Sequence, residues 1–291
     1  MERQLLKAIL AVAAGLVERR SQARIVFDDL QIVRVFYWSV LCDRPQCWAC
    51  DPRNWPLWDR RQPLPSPSTL SRRLRSGSVQ RLLDALHARL VPPTQGRLFW
   101  MIDGKPLVIG GASKDRQAGY GFGAGTKSKG YKLHALVSDR GEVAAWRVTP
   151  MNTDERKMAR RLLRTTPIVG YVLADAHYDD NRIHAVCDRR GNLQLLTPRR
   201  MPNAKGLGHC RHAPGRLRNL ELLDNPLSAF GRRLLAERDS IERLFGQLTN
   251  YGGGLTHLPP WVRTHARVHR WVASKLTIHA IRRRQPTTYV A

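Results

Sequence analysis

Three acidic side chains, Asp103, Asp175 and Glu242, stand where a carboxylate could do chemistry. Asp103 ends the apolar run LFWMID, Asp175 ends the run VGYVLAD, and Glu242 lies in the helical pattern RDSIERLFGQL. Carboxylates that gather in one place raise each other's pKa, and a hard divalent cation such as Mg²⁺ removes that cost. Paired ions can activate a water or a 3′-hydroxyl for attack at phosphorus. The acids are therefore candidates for metal-dependent phosphodiester chemistry, although each alone also fits a turn former or a surface charge.

The charge of the chain indicates a polyanionic partner. Lys and Arg number 49 against 23 Asp and Glu, a formal net charge of +26 over 291 residues. This surplus makes a compact fold repel itself, and nucleic acid would neutralise it. A GC-rich genome would explain Arg in place of Lys but not the scarcity of acids. The composition, 42% hydrophobic and 25% charged, excludes disordered, collagen-like and disulfide-scaffold chains.

The cysteines and the apolar segments indicate a reducing compartment away from membranes. Five cysteines are too few, and odd in number, for a secreted disulfide framework. The apolar stretch 5–17 is interrupted by Lys7 and is shorter than the roughly 20 residues that a bilayer requires. It predicts a buried amphipathic helix in a cytoplasmic protein, with a poor signal peptide as the alternative. An incomplete zinc pattern remains open, with these candidate ligands: Cys42, Cys47, Cys50, His209, Cys210 and His212.

The first 97 residues are predicted to form a helical domain. Apolar periodicity indicates helices over 28–41 and 79–90, and Ser68 after Pro67 is a candidate N-cap for a short helix between them. A Ser- and Arg-rich second element fits a helix-turn-helix that reads a DNA groove. An ordinary helical bundle with a solvated basic face fits equally well. The candidate DNA contacts of this region are Ser71, Arg72, Arg73 and Arg75.

Residues 98–291 are predicted to form an α/β domain. Strand patterns cover 98–103, 131–139, 142–150, 169–180 and 192–198. Asn152, with Glu155 in capping-box spacing, is expected to start the first intervening helix. The order of three strands, helix, strand, helix, strand and further helices predicts a mixed five-stranded sheet flanked by helices.

The remaining segments of this domain are irregular or basic. The glycine-rich stretch 119–125 lacks a phosphate-loop motif and is predicted to be flexible. It would bring nearby Lys127, Lys129 and Lys132 beside DNA. An insertion is expected near 199–231. Helices are predicted over 234–248 and 261–284, and the second of these carries many basic residues.

Several local sequences resemble bacterial insertion-sequence DDE transposases of the broad insertion-sequence four/five type. WMIDGKPL resembles the family's first-Asp strand, VLADAHYDD its second-Asp segment and RDSIERLFGQL its Glu helix. The run KGYKLHALVSDRGEVAAWRVTPMNTDE resembles the second and third strands and the turn into the next helix. The resemblance spans about residues 98–250.

The resemblance implies a ribonuclease-H-like core with Asp103, Asp175 and Glu242 as catalytic and metal-binding residues. The expected cofactor is Mg²⁺, as two ions, with Mn²⁺ as a substitute. The expected activity is cleavage of element ends and their joining to target DNA by hydrolysis and transesterification. The expected partners are the terminal inverted repeats, target DNA and a second copy of the chain, in a homodimer or larger synaptic complex. A bacterial, nucleoid-associated protein of the cytoplasm follows.

Three positions near Glu242 bear on whether the activity is retained. Arg238 matches an Arg that some relatives carry four residues before the Glu, and one helical turn places both on one face. The resemblance makes Arg238 a candidate DNA contact. Relatives carry a Tyr where this chain has Leu235 and a Lys where it has Thr249. These departures keep two alternatives open: a catalytically decayed DNA-binding protein, and a ribonuclease-H-like nuclease that does not join strands.

Overall fold

The computed structural model describes residues 1–17, 26–91, 96–123, 125–201, 211–250, 255 and 257–284. The chain divides into two compact units. The helical unit comprises Met1–Pro92, Leu248–Gly254 and Arg270–Ala291, and the sheet unit comprises Pro93–Gln247 and Leu255–His269. None of the helices in the described ranges is long and apolar enough to cross a bilayer.

The helical unit begins with five helices: α1 (Glu2–Ala14), α2 (Asp29–Leu41), α3 (Gln46–Ala49), α4 (Pro67–Arg73) and α5 (Gly77–Leu90). Helix α2 is buried on nearly every face and starts at a capping box formed by Asp28 and Gln31. The predicted N-cap of α4 was wrong, because Ser66 rather than Ser68 accepts the hydrogen bond from the Thr69 amide, at 3.2 Å. The reason is Pro67, which occupies the first helical position, where its missing N–H costs nothing.

The sheet unit contains one mixed sheet of six strands: β1 (Phe99–Val108), β2 (Gly119–Gly123), β3 (Thr126–Ser138), β4 (Val143–Pro150), β5 (Gly170–Leu173) and β6 (Leu193–Leu196). Strand β3 pairs antiparallel with β1, β2 and β4. Strand β5 pairs in parallel with β1 on one side and with β6 on the other. All five predicted strands are present, although the fourth is much shorter than predicted.

The sixth strand, β2, is a correction to the sequence prediction of a flexible segment and of five strands. Its glycines pair with β3 from Gly119 opposite Gly130 to Gly123 opposite Thr126. A Cβ at Gly121 would lie 2.7 Å from the Met151 carbonyl oxygen. These glycines therefore allow close approach of a neighbouring chain segment, and their spacing is not a sign of flexibility.

Six helices accompany the sheet or follow it: α6 (Glu155–Thr165), α7 (Asn181–Arg190), α8 (Pro214–Asp224), α9 (Phe230–Ala236), α10 (Ser240–Asn250) and α11 (His265–Arg284). Helices α6 and α7 pack their apolar faces on one side of the sheet. The shared core includes Trp100, Ile102 and Leu136 from strands and Leu162, Leu163, Ile183 and Val186 from helices.

Three predicted helix boundaries require correction. Asp154, not Asn152, caps α6 by accepting a 2.9 Å hydrogen bond from the Arg156 amide, because Asn152 lies in the turn that follows β4. The single helix predicted over 234–248 is divided into α9, a 3₁₀ turn at Glu237–Asp239 and α10. Apolar residues on the two sides of this turn keep the helical spacing, so the sequence pattern does not predict the interruption. The last helix begins at His265 rather than at residue 261.

Gly130 offers a test of the tight packing between strands. A Cβ there would overlap the Leu107 carbonyl oxygen and lie 3.0 Å from the Val108 Cα. We expect Gly130→Ala to lower the free energy of unfolding by about 2 kcal/mol, because the backbone of β1 must move. The control Gly246→Ala meets nothing within 4 Å, and we expect it to raise stability by up to about 1 kcal/mol in a helix. Equal urea midpoints for the two variants would contradict the close approach.

Candidate active site

Asp103 and Asp175 are brought together by the parallel pairing of β1 and β5. Met101 lies opposite Leu173 in the register of these strands, and each aspartate is two residues further along. Asp103 lies within β1, and Asp175 follows the last residue of β5 by two residues, as the cap of a 3₁₀ turn. The pairing therefore brings both acids to the carboxyl end of β5. The charge of Asp175 raises the pKa of Asp103, in agreement with this placement.

Burial and neighbouring charges shift the Asp103 carboxyl. The pKa of this carboxyl is raised to about 6, and burial is the largest cause. The negative charges of Asp175 and Glu155 also raise the pKa, whereas a 2.7 Å hydrogen bond from the Gly104 amide and the charge of Arg238 lower it. Asp175 accepts a 2.8 Å hydrogen bond from the His177 amide, which fixes its carboxylate at the start of a 3₁₀ turn.

A third acid near Asp103 is Glu155, which the sequence indicated only as a capping residue. A Cβ at Gly104 would lie 3.1 Å from the Glu155 Oε1. Glu155 is paired with Lys132, and their side chains are only 17% and 12% exposed. Burial raises the pKa of Tyr178, and the charges of Glu155, Asp103 and Asp175 act in the same direction. The acids Asp103, Glu155 and Asp175 come from β1, the start of α6 and the 3₁₀ turn after β5. No local signal in the sequence predicts that they lie near one another, because these elements are far apart along the chain.

Glu242 lies on the first turn of α10 and is held differently from the two aspartates. Its side chain is 67% exposed, and its Oε1 lies 3.8 Å from a guanidinium nitrogen of Arg238, one helical turn away. Arg238 in turn lowers the pKa of Asp103. Within the described residues, no three His, Cys, Asp or Glu side chains are close enough to hold one ion. The structure thus brings Asp103 and Asp175 together and leaves Glu242 outside a shared cluster.

Asp103, Asp175 and Glu242 all lie in a segment that matches a known protein family. Residues 94–277 match the family model described as the transposase DDE domain, and the matched segment contains all three acids. The match covers more than half of the 291 residues. The chain belongs to the DDE transposase family. No curated protein matches the sequence of this transposase significantly.

DDE transposases generally use divalent metal ions, and two of the acids suit one. Asp103 and Asp175 offer the carboxylate oxygens that Mg²⁺ prefers. Their mutual repulsion contributes to the raised pKa of Asp103, and a bound cation would remove this cost. The donor set at the β1–β5 junction therefore fits a divalent ion.

The lysines predicted to contact DNA differ in how free they are. Lys127 is exposed on β3. The Lys129 ammonium donates a 2.6 Å hydrogen bond to the Ser113 carbonyl and lies over the Tyr120 ring. The Lys132 ammonium is paired with Glu155 and is mostly buried. Of the three, Lys127 is the one whose charge faces solvent without these contacts.

The predicted DNA contacts in the helical unit also differ in how exposed their side chains are. Arg72 and Arg75 are exposed, and Ser71 is half-buried. Arg73 donates a 2.5 Å hydrogen bond to Asp29, and its side chain is 15% exposed. For the zinc alternative, His209 and Cys210 lie outside the described residues. Cys42, Cys47 and Cys50 are free thiols in the described part of the chain.

The raised pKa of Asp103 predicts a pH-dependent cost to stability. The folded value of about 6 lies above an unfolded value near 3.9, so the native state binds this proton more tightly and loses stability as pH rises from about 4 to 6. We expect Asp103→Asn to gain about 3 kcal/mol in free energy of unfolding at pH 7 and little at pH 4. Urea unfolding without divalent ions, with Asp139→Asn in an exposed turn as control, measures this. An identical gain at both pH values would contradict it.

Proposed function

We propose that the chain is a DNA transposase that cuts the ends of a mobile element and joins them to target DNA. The observation that carries the proposal is the placement of Asp103, on β1, near Asp175, just after the parallel strand β5, in a chain of the DDE family. Hydrolysis would release the 3′-hydroxyl of an element end, and transesterification would attach that hydroxyl to the target strand. The resemblance of the local sequences supports a place for the chain in the insertion-sequence four/five type.

The sheet supports a ribonuclease-H-like core. Its strands run in the order β4-β3-β1-β5-β6, with the first three antiparallel and the last three parallel. A helix separates β4 from β5 and another separates β5 from β6. This is the succession of strands and helices that the family resemblance implies, with β2 as an addition.

In the proposed mechanism, Asp103 and Asp175 would hold the divalent ions, two Mg²⁺ or Mn²⁺. Glu242, which lies outside their cluster, would have to leave Arg238 to serve as the third ligand. When bound, the ions activate the attacking water or 3′-hydroxyl and stabilise the leaving oxygen. Asp103 must be ionised to serve as a ligand, so its raised pKa in the metal-free protein weakens metal binding as the pH falls below about 6. Arg238, which lies 3.4 Å from Asp239 and 3.8 Å from Glu242, would exchange these carboxylates for a DNA phosphate, because a guanidinium suits phosphate geometry.

The helical unit is proposed to bind the terminal inverted repeats. Helix α5 follows α4 after a turn of three residues, and exposed Arg72 and Arg75 lie at the end of α4. These charges suit phosphate contacts. The synaptic complex holds two element ends, so the working form is proposed to be a homodimer or larger, associated with the nucleoid.

The test uses the full chain and a linear DNA that carries the inverted repeats flanking its gene. Denaturing gels report cleavage with Mg²⁺, with Mn²⁺ and with EDTA, and precleaved ends mixed with plasmid report joining. We expect cuts at the repeat ends and joined products only with a divalent ion. Cleavage without joining would instead identify a nuclease.

A second candidate, a DNA-binding protein without activity, is favoured by specific positions. Leu235 and Thr249 replace the Tyr and the Lys of the relatives, and Glu242 stays with Arg238. Specific binding of the repeats without cleavage in either metal would establish this function and overturn the first.

A further inference from the structure

A groove with a volume of about 760 Å³ lies between α6 and α7 in the sheet unit. Its polar lining is almost wholly basic, and no acidic residue lines it. We call it the basic groove and define it by Lys157, Arg160, Arg161, Arg164, Arg182 and Arg189. It shares no residue with the candidate active site.

Helical periodicity explains how these side chains come to share one face. On α6, residues 157, 161 and 164 follow the i, i+4, i+7 spacing, and on α7 residues 182 and 189 are two turns apart. The opposite faces of both helices are buried against the sheet. The basic groove is therefore the outer surface of a well-packed layer, and its side chains can change without disturbing the core.

Most of these charges have no counter-charge within the protein. Arg160 lies 3.7 Å from Asp180, and Arg156 just outside the groove lies 3.9 Å from the same carboxylate. Arg190 donates to the backbone carbonyls of Leu163, Thr166 and Ile168. Five exposed side chains have no carboxylate partner within the described ranges: Lys157, Arg161, Arg164, Arg182 and Arg189. A cluster of like charges repels itself, so a polyanion would stabilise it.

We propose that the basic groove binds the phosphate backbone of duplex DNA without regard to sequence. The inference rests on the proposed function, which makes DNA the substrate. Lys and Arg without accompanying Asn or Gln suit phosphates rather than a defined series of base edges. Seven residues of α6 span about 10 Å, a length of duplex that carries about six phosphates. The groove thus supplies salt-dependent affinity for any DNA that the transposase holds.

The test measures how binding of the full chain depends on salt. A 30-base-pair fluorescent duplex of arbitrary sequence reports affinity by anisotropy between about 50 and 300 mM NaCl. The variant Arg161→Gln/Arg164→Gln/Arg189→Gln removes three groove charges. If each pairs with one phosphate, the slope of log K against log salt falls by about 2.7, and affinity near 100 mM falls by roughly 10²-fold. The loss should be the same for a second duplex of unrelated sequence.

A matched control removes three exposed charges outside the groove, as Arg116→Gln/Arg140→Gln/Arg147→Gln. We expect this control to change the slope by less than about 1. Equal losses in both variants would mean that only total charge matters, and no loss in the groove variant would mean that DNA does not enter the groove. Either result overturns the proposal. Unfolding midpoints that match wild type show that both variants are folded.

A further arm separates DNA from an acidic protein as the occupant. If the groove variant loses affinity for polyglutamate but keeps its affinity for the duplex, the proposal is overturned in favour of a protein partner. The proposed function can fail independently of the groove. If wild type never cuts DNA but the groove variant shows the predicted change in slope, the basic groove binds DNA and the transposase activity is ruled out. If wild type cuts DNA normally but the groove variant shows an unchanged slope of log K against log salt, the proposed function stands and the basic groove is not a DNA-binding site.

Discussion

Asp103→Asn is expected to abolish DNA cleavage, with a loss of at least about 10³-fold. The substitution keeps the shape of the side chain but removes one of the two carboxylates at the β1–β5 junction. A neutral amide is a weak ligand for a hard cation, and stabilisation of charge at phosphorus is the main contribution of such a site. Asp175→Asn should have the same effect, because the proposed ions need both side chains. Cleavage of a labelled repeat end under single-turnover conditions measures both losses.

Two controls separate this loss from misfolding. DNA affinity of both variants should stay close to that of wild type, and Asp103→Asn should be the more stable protein at neutral pH because a buried charge is gone. Asp139→Asn, which alters an exposed turn, should cut normally. Cleavage by Asp103→Asn within tenfold of wild type would rule out a catalytic role for this residue.

Breaking the Lys132–Glu155 pair is expected to cause a large loss of stability in the sheet unit. Both side chains are mostly buried, and removing one partner leaves the other as an uncompensated charge. We expect Lys132→Met and Glu155→Gln each to lower the free energy of unfolding by about 3 kcal/mol. The double variant should recover much of the loss, since neither charge then remains buried. Losses below about 0.5 kcal/mol in both single variants would show that solvent screens the pair.

The same two variants should shift the pH dependence of cleavage in opposite directions. Glu155 raises the pKa of Asp103, so Glu155→Gln should move the acidic limb of the rate profile to lower pH. Lys132→Met leaves the Glu155 charge unpaired and should move that limb to higher pH. Shifts in the same direction, or none, would contradict the electrostatic link to Asp103. A general loss of structure would not produce opposite shifts.

The sequence predicted the positions of the aspartates because the signal is local. Apolar runs that end in Asp103 and Asp175 predict strands there, and β1 and β5 confirm that both strands exist. The bounds differ, because β1 continues past Asp103 to Val108 and β5 ends at Leu173, before Asp175. The burial of helix faces also followed from periodicity. Local patterns do not specify which strands pair. The proximity of the two acids could therefore not be predicted, because it depends on the parallel register of β1 and β5.

Other features could not be predicted because they depend on contacts between distant segments. Lys132 and Glu155 are 23 residues apart and meet only because β4 and the start of α6 return past β3. Alternating glycines resemble a flexible loop, yet in β2 they make room for the backbone near Met151. The pattern around Glu242 predicts a helix but does not specify where that helix packs. The sequence therefore could not predict how far Glu242 lies from the aspartates.

Asp103 and Asp175 are proposed to hold a divalent cation together where DNA is cut. Crystals of the full chain with a duplex of the repeat end and Mn²⁺ would locate the ion by anomalous scattering. We expect a manganese peak bonded to carboxylate oxygens of both aspartates, next to a phosphate of the duplex. Manganese bonded to neither aspartate, in crystals that contain the bound duplex, would contradict it.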